Sequence, residues 1–246
     1  MLGAAFEAFH IEAGNDSRNQ SYEHILTTMK SVERLGSPTV YLNTKEKMDQ
    51  FIANTPDFKV NTVEDYAQPG ETFPPSAGVV GVWASNYLAY KNFLKSDKQI
   101  LFLFEDDILL SANFLQIATF YLRELPEKWD FFSLFVPDDS LFAYNESQHS
   151  VDKPNVCRSY QQWSCASYVV SRQGAMKAVE DIESRGISAP VDWYIFNFRM
   201  KPEPGQMIFN TYTLKPKVYK PVKFLLDAAT SSQIHRGKTE LLHSSK

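Results

Sequence analysis

The strongest pattern in the chain lies at Gln99–Phe114, QILFLFEDDILLSANF, where five apolar residues, Ile100 to Phe104, run without interruption into Glu105, Asp106 and Asp107. Ile108, Leu109 and Leu110 then resume the apolar run. A run of this length and composition predicts a strand buried on both faces. Immediately before it, Val80, Trp83, Tyr87, Tyr90 and Leu94 recur at helical spacing and predict a helix over 78–96 that leads into the strand. Immediately after it, Ser111 is the expected N-cap of a helix with Leu115, Ala118, Leu122 and Leu125 as its apolar stripe, ended by Pro126.

The rest of the chain continues the alternation. Ala4–Ile11 predicts a first strand, and the turn formers Gly14 to Arg18 a loop. Ile25, Met29 and Val32 give Tyr22–Leu35 the look of an amphipathic helix stopped by Gly36. A short strand at Thr39–Leu42, a helix at Lys45–Ala53 and a proline-rich loop at Asp65–Ser76 follow. Further on, Trp129–Val136 reads as a strand, Pro137–Asn155 as a polar loop and Ser164–Val170 as a strand. Ser171 reads as an N-cap for a helix over Arg172–Glu183, closed near Gly186, and Pro190 to Trp193 open a short helix. Beyond Pro202 only Gln206–Leu214 suggests a strand. Strands alternating with helices imply a layered α/β sheet with helices on both faces, and the absence of a repeat or linker favours one domain. Ligands on such sheets gather outside the carboxyl ends of strands, which is where the three acids fall.

Composition adds a few bounds. With 246 residues the chain can bury a sizeable core, and a hydrophobic fraction of 43% with 22% charged is ordinary for a globular protein. The 14% aromatic content is generous. No run approaches the roughly 18 apolar residues of a membrane helix, and no basic region precedes an apolar core at the N-terminus, so the expectation is a soluble, unprocessed, cytoplasmic chain. Two cysteines, Cys157 and Cys165, are too few for a disulfide scaffold and too widely spaced for a zinc pair. The net charge of −4 is uneven: from Lys201 onward eight Lys/Arg face three Asp/Glu, +5, which leaves −9 for the first 200 residues. Such a basic segment suits a diphosphate, an acidic acceptor or a membrane surface, and equally a solvated tail.

Three consecutive carboxylates at the end of a buried strand need compensation, because burying an ionised carboxylate costs several kcal/mol without a cation or hydrogen bonds. In an extended chain Glu105 and Asp107 share one face and Asp106 takes the other. Two carboxylates on one face suit Mg²⁺ or Mn²⁺, with phosphate oxygens completing the shell. The bland alternative is a solvated acidic turn.

The succession of Gly78–Leu94, LFEDD, LPEKWDFFSL, ASYVVSRQGAMKAV and APVDWY, over about residues 78–195, resembles glycosyltransferase family 25, which includes bacterial lipopolysaccharide glycosyltransferases and collagen galactosyltransferases. The resemblance implies a single-domain α/β fold of the GT-A type, with a mixed, mostly parallel central sheet flanked by helices. Residues 1–110 would form the nucleotide-sugar-binding half, 111–200 the acceptor and catalytic half and 201–246 a basic C-terminal segment. It implies transfer of galactose or glucose from a UDP-sugar, with inversion, to a hydroxyl acceptor: a glycan, a lipid-linked glycan, a protein or a modified nucleobase. It also implies that Asp107 ligates Mn²⁺ or Mg²⁺, with Glu105 on the metal or ribose side and Asp106 on the ribose or a backbone amide. Asp192, in PVDW, becomes the candidate general base, against the alternative of a helix-capping aspartate. His235 would complete the metal site, with His243 its rival, and Arg18 would meet a phosphate or uracil. Trp193 or Trp163 would stack on a sugar face, against the alternative of a core or rim aromatic; Lys215, Lys217, Lys220 and Arg236 would screen the diphosphate, against the alternative of surface charges; and Asp138-Asp139 reads as an acidic turn in preference to a contact to sugar hydroxyls.

Competing activities fare worse. Nucleotidyl transfer calls for a Gly-rich phosphate loop after the first strand, which is missing, and Asp106-Asp107-Ile108 lacks the pattern of an aspartyl phosphatase. A glycosidase would use paired acids without a metal. A non-catalytic nucleotide-sugar or glycan-binding relative with the same fold is the alternative from a different class.

Overall fold

The structure, a computed structural model, describes residues 6–13, 29–36, 40, 42, 44–61, 63–64, 72–73, 75–105, 108–136, 151–159, 164–187, 189–196 and 209–224. Seven strands form the main sheet, in the order β2 (Met29–Gly36), β1 (Phe6–Ala13), β5 (Ile100–Glu105), β9 (Ser167–Ser171), β7 (Phe131–Ser133), β10 (Thr211–Leu214) and β8 (Val156–Arg158). Two small antiparallel pairs stand apart from it: β3 (Val63–Glu64) with β4 (Thr72–Phe73), and β6 (Ile108–Leu110) with β11 (Val222–Phe224).

Period-two alternation in β5 divides the interior into two cores. Leu101 and Leu103 face one side, where α2 (Ala77–Lys95), α4 (Arg172–Ser184) and α5 (Val191–Phe196) contribute Trp83, Tyr90, Phe93, Ala178, Ile182 and Ile195. Ile100, Phe102 and Phe104 face the other side, against Phe114, Ala118 and Leu122 of α3 (Phe114–Leu122). Each large side chain so buried contributes roughly 1.5–3 kcal/mol. The expected α/β sheet with helices on both faces is therefore present.

The pairing within the sheet differs from the mostly parallel expectation. Of the six strand pairs, β7–β10 is parallel and the other five are antiparallel. β5 and β7 are both antiparallel to β9, so they share a direction with β10, as helical crossovers favour. β9 enters between β5 and β7 from the opposite end, and β1 runs against β5. A strand–helix alternation fixes neither of those insertions.

Other departures are local. Residues 29–36 form β2 rather than the second half of a helix, because pairing with β1 from Ala13↔Met29 to Ala8↔Gly36 outweighs their helical spacing. Val40 and Leu42 are not in a strand: the Val40 N–H donates to Ser85 Oγ of α2 at 2.9 Å, and its carbonyl lies close to Gly81. α3 begins at Phe114, and the Ser111 carbonyl, not its hydroxyl, accepts from the Phe114 N–H. Leu115 consequently points outward. β8 and β11 had no strand reading in the sequence.

Elsewhere the sequence signals hold. α1 (Lys45–Asn54) starts where expected, with Thr44 as N-cap. α2 runs nearly as drawn, capped by Ser76, whose Oγ accepts from Val79 N–H at 3.3 Å. Ser171 caps α4, accepting from Gly174 N–H at 3.0 Å and donating to the Trp129 carbonyl at 2.9 Å. Position 174 must be glycine-sized, since a Cβ there would collide with the Asp130 carbonyl. Gly186, at φ +83°, ends α4 in the left-handed region that glycine tolerates best.

Candidate active site

The carboxyl end of β5 and the entry to β9 meet at three residues, Ser164, Cys165 and Ala166. The Glu105 N–H donates to the Ala166 carbonyl at 2.9 Å, one step beyond the Phe104↔Ser167 pair of the ladder. Glu105 itself is partly buried, the first residue of β5 to emerge from the core. On the other side of this segment, the Ser164 N–H donates to Asp192 Oδ2 at 2.8 Å. Ser164 Oγ accepts from the Ala166 N–H at 3.2 Å, closing a tight local turn. Ser164 has φ +85°, in the left-handed region that costs a non-glycine residue about 1–2 kcal/mol.

Asp192 sits in the first turn of α5, whose position is set by packing rather than propensity. Trp83 of α2 donates its indole N–H to the Ala189 carbonyl at 2.7 Å, and its ring meets Tyr194 edge-on at 5.1 Å. These contacts hold the segment before and the turn after Asp192. Burial pushes the Asp192 carboxyl above its ordinary range, against the backbone N–H groups of Ser164, Trp193 and Asp192 itself, which pull it down. Two of those donors are the local ones of a helix-capping aspartate; the third comes from a distant strand entry. A carboxylate so placed is more basic than a solvated one and better suited to accept a proton near neutral pH.

Cys165 is buried between the two acids. Burial pushes its thiol well up, and the charges of Asp192 and Glu105 push it further. Beneath it runs a chain of buried hydroxyls and an amide: the Tyr90 and Tyr168 hydroxyls are 2.6 Å apart, Tyr168 donates to Asn86 Oδ1, and Asn86 Nδ2 donates to the Val82 carbonyl at 2.8 Å. This chain fixes the β9 strand to α2 under the acids. Its signal in the sequence is faint: Ser85 and Asn86 are polar residues amid the apolar stretch Val79–Ala89 of the helix, and nothing marks Ser164 as left-handed.

Of the residues expected at the site, Glu105 and Asp192 are therefore both tied to one short segment. Asp106, Asp107, Arg18, His235, His243, Arg236, Trp163 and Asp138-Asp139 lie outside the described residues. Trp193 is buried in the core beside α2 and presents no face for a sugar, so of the two readings it is the core aromatic. Lys217 is exposed, while Lys215 lines a depression of about 570 Å³ with Val151, Asp152, Lys153 and Pro154. A second depression, of about 520 Å³, lies between α3 and Tyr219. Neither is lined by Glu105 or Asp192. Cys157 and Cys165 are both free of disulfide and buried.

The donor type at Glu105 fits a hard divalent cation, which prefers carboxylate oxygens. Among the described residues no three His, Cys, Asp or Glu side chains gather into a metal site, and the remaining carboxylates of the acidic triplet are outside them. No helix among the described residues is long and apolar enough to cross a membrane.

No curated protein matches the chain in sequence. Compared with profiles of known families, residues 47–195 match glycosyltransferase family 25 (LPS biosynthesis protein). That span is more than half of the chain, and it includes β5, the Ser164–Ala166 segment and Asp192. With an α/β sheet, an acid closing the buried strand β5 and a family match over the same residues, the chain belongs to glycosyltransferase family 25.

Proposed function

We propose that the protein is a metal-dependent hexosyltransferase that moves galactose or glucose from a UDP-sugar to a hydroxyl acceptor with inversion. The observation that carries this reading is the junction of Glu105 and Asp192 at one three-residue segment, at the carboxyl end of β5. Family membership supports the sugar transfer itself, and the desolvated carboxyl of Asp192 supports its role as base.

Asp192 takes the proton of the acceptor hydroxyl as that oxygen attacks the anomeric carbon. The bond from that carbon to the diphosphate oxygen breaks on the opposite face, and the electron pair leaves with UDP. Glu105, Asp107 and His235 would hold Mn²⁺ or Mg²⁺, which when bound offsets negative charge on the departing diphosphate. Asp106 serves the ribose and Arg18 a phosphate or the uracil ring. In this reading residues 1–110 bind the donor, 111–200 the acceptor, and the basic segment from 201 faces the diphosphate. The acceptor is a glycan, lipid-linked glycan, protein hydroxyl or modified nucleobase, met in the cytoplasm.

The test is a panel of UDP-sugars incubated with Mn²⁺ and, separately, with EDTA, scored by binding and by slow UDP release without acceptor. UDP-galactose or UDP-glucose is expected to bind and hydrolyse only with the metal, and Asp107→Asn is expected to weaken both at least tenfold. Absence of donor binding under every metal condition would overturn the reading.

A further inference from the structure

Ser164 is held in a backbone conformation that its side chain does not favour, in the segment that both the Glu105 N–H and the Asp192 carboxylate meet. Left-handed φ is tolerated by glycine and by asparagine, less by serine and alanine, and least by β-branched residues. A non-glycine residue keeps such a conformation only where its surroundings over-determine it, and those places cluster at functional sites. Here the surroundings are explicit. The conformation turns the Ser164 N–H toward Asp192 Oδ2 at 2.8 Å. The serine hydroxyl accepts from Ala166 N–H at 3.2 Å, and the Ala166 carbonyl accepts from the N–H of Glu105 at 2.9 Å.

We propose that Ser164 is the positioning residue of the site: its left-handed turn fixes the Asp192 carboxylate against the Glu105 end of β5. The inference rests on the reading of Asp192 as the base. With Oδ2 engaged by the Ser164 N–H, which reaches it from outside its own helical turn, the orientation of the carboxyl group toward the Ser164–Ala166 segment is set. A relaxed backbone at 164 would turn the N–H away and release the carboxylate from that orientation. A misplacement of about 1 Å in a reacting group costs on the order of 100-fold in rate.

The consequence is an order among substitutions that side-chain polarity alone does not produce. Ser164→Gly and Ser164→Asn should keep kcat for UDP-galactose hydrolysis with Mn²⁺ within about threefold of the parent, because both hold the left-handed turn and the N–H. Ser164→Ala should lose more, and Ser164→Val roughly 10- to 100-fold, with donor KM unchanged throughout. A kcat that is flat across the series, or that follows hydroxyl content instead of left-handed tolerance, would overturn the proposal.

A second measurement needs no turnover. Amide hydrogen exchange at residue 164 should be slow in the parent and at least tenfold faster in Asp192→Ala, while the Glu105 amide stays protected. Equal protection at residue 164 in both proteins would also overturn it. The two levels separate cleanly: parental turnover by Asp192→Asn removes the base itself, whereas an inactive Asp192→Asn beside a flat Ser164 series removes only the positioning role.

Discussion

The two ends of β9 each hold a carboxylate, Asp130 buried and Asp192 half-buried, and they hold it differently. At the end that runs into α4, Asp130 is almost fully buried and accepts from Lys177 Nζ at 2.7 Å and from Asn210 N–H at 2.8 Å. Its backbone carbonyl accepts from Ser171 N–H at 2.9 Å, so the same residue joins β7, β9, β10 and α4. At the entry to β9, Asp192 is met by backbone N–H groups and, among the described residues, by no cation. The Asp130 carboxylate, with a lysine and a backbone N–H against it, serves the fold. The Asp192 carboxyl, met among the described residues by amide N–H groups and pushed above its ordinary range by burial, remains able to exchange a proton.

The largest expected effect that tests this contrast is on turnover. Asp192→Asn should lower kcat for UDP-sugar hydrolysis by about 10²–10⁴-fold, the usual contribution of a general base, with little change in Tm. A large loss of stability with retained kcat would assign Asp192 to the structural class of Asp130.

The complementary test removes the cation at the other end. Lys177→Met leaves the Asp130 carboxylate buried without its ion-pair partner and should cost about 2–3 kcal/mol in urea unfolding, the lysine being partly exposed. Adding Asp130→Asn to that variant should recover part of the loss, because the uncompensated charge is then gone.

A smaller effect lies in the pH dependence of stability. The folded Asp192 carboxyl holds its proton to higher pH than the unfolded one, whose pKa is about 3.9. Its contribution to stability is fully present below that value and is lost as pH rises through the raised folded pKa. The stability of Asp192→Asn relative to the parent should therefore increase from about pH 4 upward and then level off, as read from unfolding midpoints measured across that range.

Much of this was written in the chain. The apolar run at Ile100–Phe104 specified a strand buried on both faces, and the acids after it marked where burial ends. Helical spacing from Gly78 located α2, and the serine hydroxyl at 171 followed by helical spacing located the start of α4. These signals are legible because they are local: a period of 2 or 3.6, or a cap three residues from its amide, needs no knowledge of the partner. Ser111 shows the limit, since a capping residue type at the right spacing was bypassed by a helix starting at Phe114, beside the pairing of β6 with β11.

The sequence by itself determined the alternation of elements, the two-faced core strand, the acidic strand end and the family-like order of motifs. Only the tertiary structure decided that residues 29–36 pair as a strand, that β9 slots between β5 and β7 in the reverse direction, and that Ser164 turns left-handed to meet Asp192. The reason is physical: side-chain periodicity records which face of an element is apolar, whereas strand partners and contacts across 28 residues are selected by the packing of the assembled layers.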